Sequence, residues 1–178
     1  MVNVNKVKIM DNQLENLIKE IIKYFYDKNR DQIRYKYKEI LENVTQKIDK
    51  IKNLNELDLE EFVKPNGICE GISIGLNFKK SQFRKFYNEI KNIKIKINKL
   101  NDNQNNEEIN KIGIQLISLI PKLAYSKGRN LIDDSFFKFM KTMITKLRNK
   151  INKENFEILD KVLETILAYH TYYYPKEN

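Results

Sequence analysis

The sequence KKSQFRKFYNEIKNIKIKINKL (79–100) decides the fold class, because it can be read with two different periods. The segment NIKIKI (92–97) alternates between polar and apolar residues, which is typical of a β-strand. The apolar residues of the whole stretch recur every three or four positions, as on one face of an α-helix. They are Phe83, Phe86, Tyr87, Ile90, Ile93, Ile97 and Leu100. Because the helical spacing extends beyond the alternating segment on both sides, we predict a single amphipathic helix.

Apolar residues recur at the same helical spacing along most of the chain. The segments concerned are 10–25, 33–51, 109–123, 136–151 and 156–173. A shorter helix is predicted to begin at Asp58 and to end before Pro65, since proline disfavours the helical conformation of the residue before it. We therefore predict an all-α protein, a compact helical bundle of about five to seven helices with no sheet of consequence.

Three segments interrupt the helical pattern. In PNGICEGISIGLN (65–77) glycine occurs at every fourth position, and we predict a glycine-containing loop. NDNQNN (101–106) predicts a polar loop. KGRN (127–130) predicts a helix end that is capped by Gly128.

The positive charge of the chain is concentrated in its middle. The 178 residues include 33 Lys and Arg against 24 Asp and Glu, a net charge of +9. Residues 79–153 contain 18 Lys and Arg against 6 Asp and Glu, so the remainder has 15 against 18. Such segregation is typical of a nucleic-acid-binding surface. We expect an N-terminal helical extension (1–77) that packs on a basic helical bundle (78–178).

Several function classes are disfavoured by what the sequence lacks. No apolar run approaches the roughly 20 residues of a membrane-spanning helix, and the N-terminus lacks the apolar core of a signal peptide. The single cysteine, Cys69, excludes an internal disulfide. The single histidine, His170, has no second histidine for a proton relay. No phosphate-binding glycine motif and no carboxylate pair at metal-ligand spacing occurs. We expect a cytoplasmic protein that is not an enzyme and holds no cofactor and no metal.

Lysine and arginine residues lie beside the apolar faces of the predicted helices. Arg84 and Lys91 are one heptad apart, and few acidic residues, such as Glu89, lie near enough to neutralise them. Such cations bind phosphates by charge, with little sequence specificity. The aromatic residues of the same helix lie on its apolar face, so we predict that they pack in the core. The candidate RNA-binding residues are Lys80, Arg84, Lys85, Lys91, Lys122, Lys127, Arg129, Lys141 and Arg148.

Two other function classes compete with RNA binding. A regulator that binds double-stranded DNA would use a helix-turn-helix, which residues 123–137 could imitate, although the flanking helices are long and apolar for that motif. A purely structural helical adaptor would use the basic segment only to meet acidic surfaces of partner proteins.

Three motifs, in this order, resemble the small subunit of the type III-A CRISPR effector, the Csm complex. They are SQFRKFY (81–87), LAYSKGR (123–129) and ETILAYH (164–170). The resemblance covers residues 78–174, and residues 1–77 carry no matching motif.

The resemblance implies a mostly helical, non-catalytic subunit that contributes to antiviral defence. Its partners would be the guide RNA–target RNA duplex, the other subunits of the Csm complex and copies of itself within that complex, with no membrane contact. The protein would touch mainly the backbone of the target strand, because base pairing reads the sequence. Arg84 and Arg129 are the matching arginines. Tyr125 and Tyr169 also match, and we interpret them as core residues with a polar tip.

Overall fold

The computed structural model describes residues 6–100 and 106–175, which form an all-α bundle. The helices are α1 (Asn12–Tyr26), α2 (Arg30–Lys50), α3 (Leu59–Val63), α4 (Ile68–Gly75), α5 (Lys80–Asn98), α6 (Asn106–Ile117), α7 (Leu119–Gly128), α8 (Asp134–Asn149) and α9 (Lys153–Tyr173). Seven of them have ten or more residues, which confirms the predicted bundle. The polar loop predicted at 101–106 lies outside the described residues, except for Asn106.

The remaining regular structure within the described ranges is slight. A 3-10 helix covers Leu54–Glu56, and one isolated β-bridge joins Val7 to Leu57. A single hydrophobic cluster takes residues from α1 and α2 as well as from α5, α8 and α9. The N-terminal helices and the basic helices therefore share one core.

Helix α4 lies in the segment 65–77, for which the prediction of a loop is wrong. Seven of the eight residues of α4 are buried, and the helix contacts α1, α2, α3 and α9. A helix that is buried on nearly all sides is expected to be mostly apolar and to lie at the centre of a bundle, and Glu70 and Ser73 are the buried polar residues of α4. The segment is therefore the central element of the fold.

Two glycines allow the neighbouring helices to approach α4 closely. A Cβ atom built on Gly71 would lie 3.1 Å from Cγ1 of Ile18 and 3.2 Å from Cδ1 of Ile40. A Cβ atom built on Gly75 would lie 2.6 Å from Cδ2 of Tyr37 and closer still to its Cβ and Cγ. The glycine repeat thus forms a contact face, whereas glycine in a sequence more often marks a loop.

The basic segment forms the other side of the bundle. Helix α5 packs along α9, α6 contacts both α5 and α8, and α8 packs on α2. The apolar pattern of 109–123 is divided between two helices, α6 and α7, which meet at Ser118. Pro121 has no N–H to donate to the carbonyl of Ile117, and its ring crowds that turn, so the chain begins a new helix with the proline in its first turn.

The left-handed residue that follows α7 lies two positions after the predicted cap. Gly128 is the last helical residue, Arg129 is the C-cap, and the left-handed conformation falls on Asn130, with φ of 55°. Asparagine tolerates this conformation better than most residues, so the glycine is not needed for the turn.

We predict that Gly75→Ala lowers the free energy of unfolding by about 1–3 kcal/mol, because the added methyl group overpacks the contact with Tyr37. Gly128→Ala is the matched control. No atom lies within 4 Å of its added Cβ, and alanine is favoured over glycine in a helix by up to about 1 kcal/mol. Urea unfolding followed by circular dichroism measures both variants. Equal stability of the two variants would contradict the close contact.

Candidate nucleic-acid interface

The outward side of α5 carries four exposed cations in its first three turns. Arg84, Lys85 and Lys91 are exposed, as is Lys79 at the N-cap. Arg84 and Lys85 form no ion pair with any described residue, and Lys91 places its Nζ 4.8 Å from the centre of the Tyr87 ring. The ring is a weak partner for a cation compared with a carboxylate. These three predicted residues are therefore available to an anionic ligand.

The buried side of α5 is attached to α9 by a carboxylate. Asp160 of α9 is buried and accepts a hydrogen bond from the Tyr87 hydroxyl at 3.0 Å, and it pairs with Lys94. Burial, together with the hydrogen bond to Asp160, raises the pKa of Tyr87. The aromatic residues of α5 (Phe83, Phe86 and Tyr87) are buried, which confirms the prediction that they pack in the core. They orient the helix so that its cations face outward.

Lys80 differs from its neighbours because it is buried. Only 6% of its surface is exposed, and its Nζ donates to the Pro175 carbonyl at 3.1 Å. The side chain therefore ties the start of α5 to the end of α9, and little of its charge is presented to solvent.

The two predicted lysines of α7 already have carboxylate partners. Lys122 pairs with Glu89 of α5, and Lys127 pairs with Asp134 at the start of α8. Lys127 and Lys138 share Asp134, and their hydrogen bonds lower the pKa of that carboxyl. These exposed pairs hold α5, α7 and α8 in register at the surface, each contributing at most about 1 kcal/mol.

Arg129 is exposed and lies against an exposed aromatic ring. Its guanidinium carbon is 5.6 Å from the centre of the Tyr125 ring, and its Nη1 is 3.4 Å from the Tyr125 hydroxyl. The interpretation of Tyr125 as a core residue is wrong, since 65% of its surface is exposed. Tyr169 is half-buried against the core, as expected. A ring with an arginine beside it at the end of α7 can stack on a base or a sugar.

The predicted cations of α8 divide into one exposed and one packed side chain. Lys141 is exposed and has no ion pair within the described ranges. Arg148 is half-buried and lies against Gly113 of α6, where an added Cβ would meet its Nε at 2.5 Å. Neighbouring Lys146 donates to the Ile51 carbonyl at 2.7 Å, beyond the end of α2, so its role is structural. The exposed face of α8 thus contributes mainly Lys141.

The two side chains that most resemble catalytic groups are buried in the core, where each contacts a backbone carbonyl. Cys69 is fully buried, its Sγ is 3.6 Å from the Val162 carbonyl, and burial raises the pKa of its thiol. His170 is 1% exposed and places Nε2 3.2 Å from the Leu76 carbonyl. Within residues 6–100 and 106–175, no cluster of His, Cys, Asp and Glu has the arrangement of a metal site. No helix of this part of the chain is long and apolar enough to cross a bilayer.

The sequence analysis missed a second group of cations, which lies on α2. Arg30, Arg34 and Lys38 line a cleft of about 730 Å³ together with Lys79. Their spacing of four residues, which places them on one side of a helix, was the available signal. It was hidden because the N-terminal segment (1–77) as a whole is neutral, with 13 Lys and Arg against 13 Asp and Glu.

Fold and surface together define a basic all-α bundle whose exposed cations are concentrated on its outer helices. The sequence profile of the Csm2 Type III-A family matches residues 66–176, more than half of the chain. The chain therefore belongs to the Csm2 Type III-A family, the structural small subunits of the type III-A CRISPR complex, and the resemblance is confirmed. No curated protein and no solved structure gives a significant match.

We predict that the Cys69 thiol of the native protein does not react with Ellman's reagent. The side chain is fully buried and its pKa is raised, so both access and the reactive thiolate are lacking. The absorbance of released thionitrobenzoate measures the reaction, and the same protein in guanidinium chloride is the control, with one thiol reacting. Rapid, complete labelling of the native protein would show an exposed, activated cysteine instead.

Proposed function

We propose that this chain is a non-catalytic RNA-binding subunit of the type III-A CRISPR ribonucleoprotein. In this role it lines the guide–target RNA duplex through a basic face and contributes to antiviral defence in the cytoplasm. The observation that carries the proposal is the row of exposed cations on α5, where Arg84, Lys85 and Lys91 have no carboxylate partner among the described residues. All three lie in the part of the chain that the family profile matches.

The chemistry of this face favours contact with the nucleic-acid backbone. Flexible cations on a helix bind phosphates without reading bases, and in a guided complex base pairing supplies the sequence. Arg129, with the Tyr125 ring beside it, would add a contact to a sugar or an unpaired base. The target-strand backbone, the other Csm subunits and further copies of this chain are the proposed neighbours.

The predicted residues contribute unequally to this proposal. Arg84, Lys85, Lys91, Arg129 and Lys141 are exposed and are proposed as direct phosphate contacts. Lys122 and Lys127 would have to exchange their carboxylates for phosphates, whereas Lys80 and Arg148 support the face from within.

We predict that Arg84→Glu, Lys91→Glu and Arg129→Glu each weaken binding of an RNA duplex, by a similar factor for unrelated sequences. Each lost phosphate contact should also flatten the slope of log affinity against log salt by roughly 0.7–0.9. Fluorescence anisotropy of a labelled guide–target duplex over a salt series measures both quantities.

Lys23→Glu and Lys52→Glu are the controls, because both residues are exposed and their substitution changes the net charge by the same amount. If the controls weaken binding as much as the central reversals, the attraction is to net charge and the face does not exist. A preference for double-stranded DNA would favour a regulator. No binding to any nucleic acid would favour a structural adaptor.

A further inference from the structure

The cleft between α2 and the segment that joins α4 to α5 holds a second basic site. Its walls include Arg30, Arg34 and Lys38 on one side and Lys79 on the other. All four side chains are exposed, and none forms an ion pair with a described residue. The three α2 residues lie outside the range 66–176, so this row is separate from the part of the chain that defines the family.

The one carboxylate that lines the cleft is already occupied. Asp133 accepts a hydrogen bond from the Tyr37 hydroxyl at 2.8 Å and another from the Phe136 N–H at 2.9 Å, where it caps α8. Burial and the nearby Asp133 raise the pKa of Tyr37, so this phenol stays protonated and keeps donating to the carboxylate. The lining of the cleft therefore has four cations and a single carboxylate, and that carboxylate already accepts two hydrogen bonds.

The dimensions of the cleft discriminate between ligands. Arg30, Arg34 and Lys38 follow one another one turn apart, about 6 Å along α2. This interval is close to the distance between adjacent phosphates of an extended single strand. A volume of about 730 Å³ lies in the range of sites for small ligands. It admits a single strand, whereas a duplex would have to stay outside. Part of the lining is apolar, with half-buried Ile33 and buried Phe78 among its residues.

We propose that this cleft binds a segment of single-stranded RNA, with Arg30, Arg34, Lys38 and Lys79 on successive phosphates. Apart from Lys79 at the N-cap of α5, this site shares no residue with the face proposed for the duplex, and it does not depend on that face. It would give the chain two nucleic-acid surfaces of different shape, one for paired and one for unpaired RNA.

The test uses the double variant Arg34→Glu/Lys38→Glu of the full chain. We expect it to weaken binding of a fluorescein-labelled oligouridylate by at least about tenfold and to flatten the salt slope by roughly 1.4, at about 0.7 per lost contact. Affinity for the RNA duplex should stay within about twofold of the unmodified protein. The neutral variant Arg34→Gln/Lys38→Gln should flatten the slope equally, and circular dichroism checks that both variants are folded.

Lys23→Glu/Lys52→Glu is the matched control, with the same change in net charge on exposed side chains outside the cleft. The proposal is overturned if the cleft variants leave oligouridylate binding unchanged, or if the control weakens it as much. It is also overturned if polyglutamate displaces the oligouridylate at lower concentration than unlabelled oligouridylate does, since the cleft would then fit an acidic polypeptide. Failure of the proposed function would appear separately, because the unmodified protein would then not bind the RNA duplex.

Discussion

Helix α4 can occupy the centre of the bundle only because Gly71 and Gly75 have no side chains. The contacts of these glycines with Ile18, Ile40 and Tyr37 set the distance of α1 and α2 from the centre. Cores are packed at the density of organic crystals, so a methyl group at such a contact must displace a helix. The positions of the other helices follow from this close contact between the backbone of α4 and the side chains of α1 and α2.

The position of the basic face depends on α4, which acts on α5 by way of α9. Glu70 of α4 accepts hydrogen bonds from the Tyr173 hydroxyl of α9 at 2.5 Å and from the Asn66 N–H at 2.6 Å, which holds α9 against the central helix. Helix α9 in turn holds α5 through Asp160. A buried carboxylate with several donors is costly to lose, so these contacts fix which side of α5, and hence which cations, faces solvent. The proposed RNA contacts thus rest on a rigid scaffold.

The long helices and the orientation of α5 were predictable because their apolar residues keep one period over many turns. Two features could not be predicted from the spacing. The segment 65–77 has the composition of a loop, and only its tertiary neighbours make it a helix. Lys80 is buried because it meets the Pro175 carbonyl, 95 residues away. The exposure of Tyr125, by contrast, follows from spacing: the residue comes two positions after buried Leu123 and so lies on the opposite side of α7. Local spacing cannot reveal partners that distant parts of the chain supply.

Hydrogen exchange followed by mass spectrometry, with and without an RNA duplex, tests most directly whether a rigid centre carries a separate binding face. The amides of α4 should exchange slowest, at the rate of global unfolding. Addition of the duplex should protect peptides of α5 and of the α7–α8 junction while leaving those of α4 unchanged. Exchange of α4 as fast as that of the outer helices, or equal protection of all helices by RNA, would contradict this account.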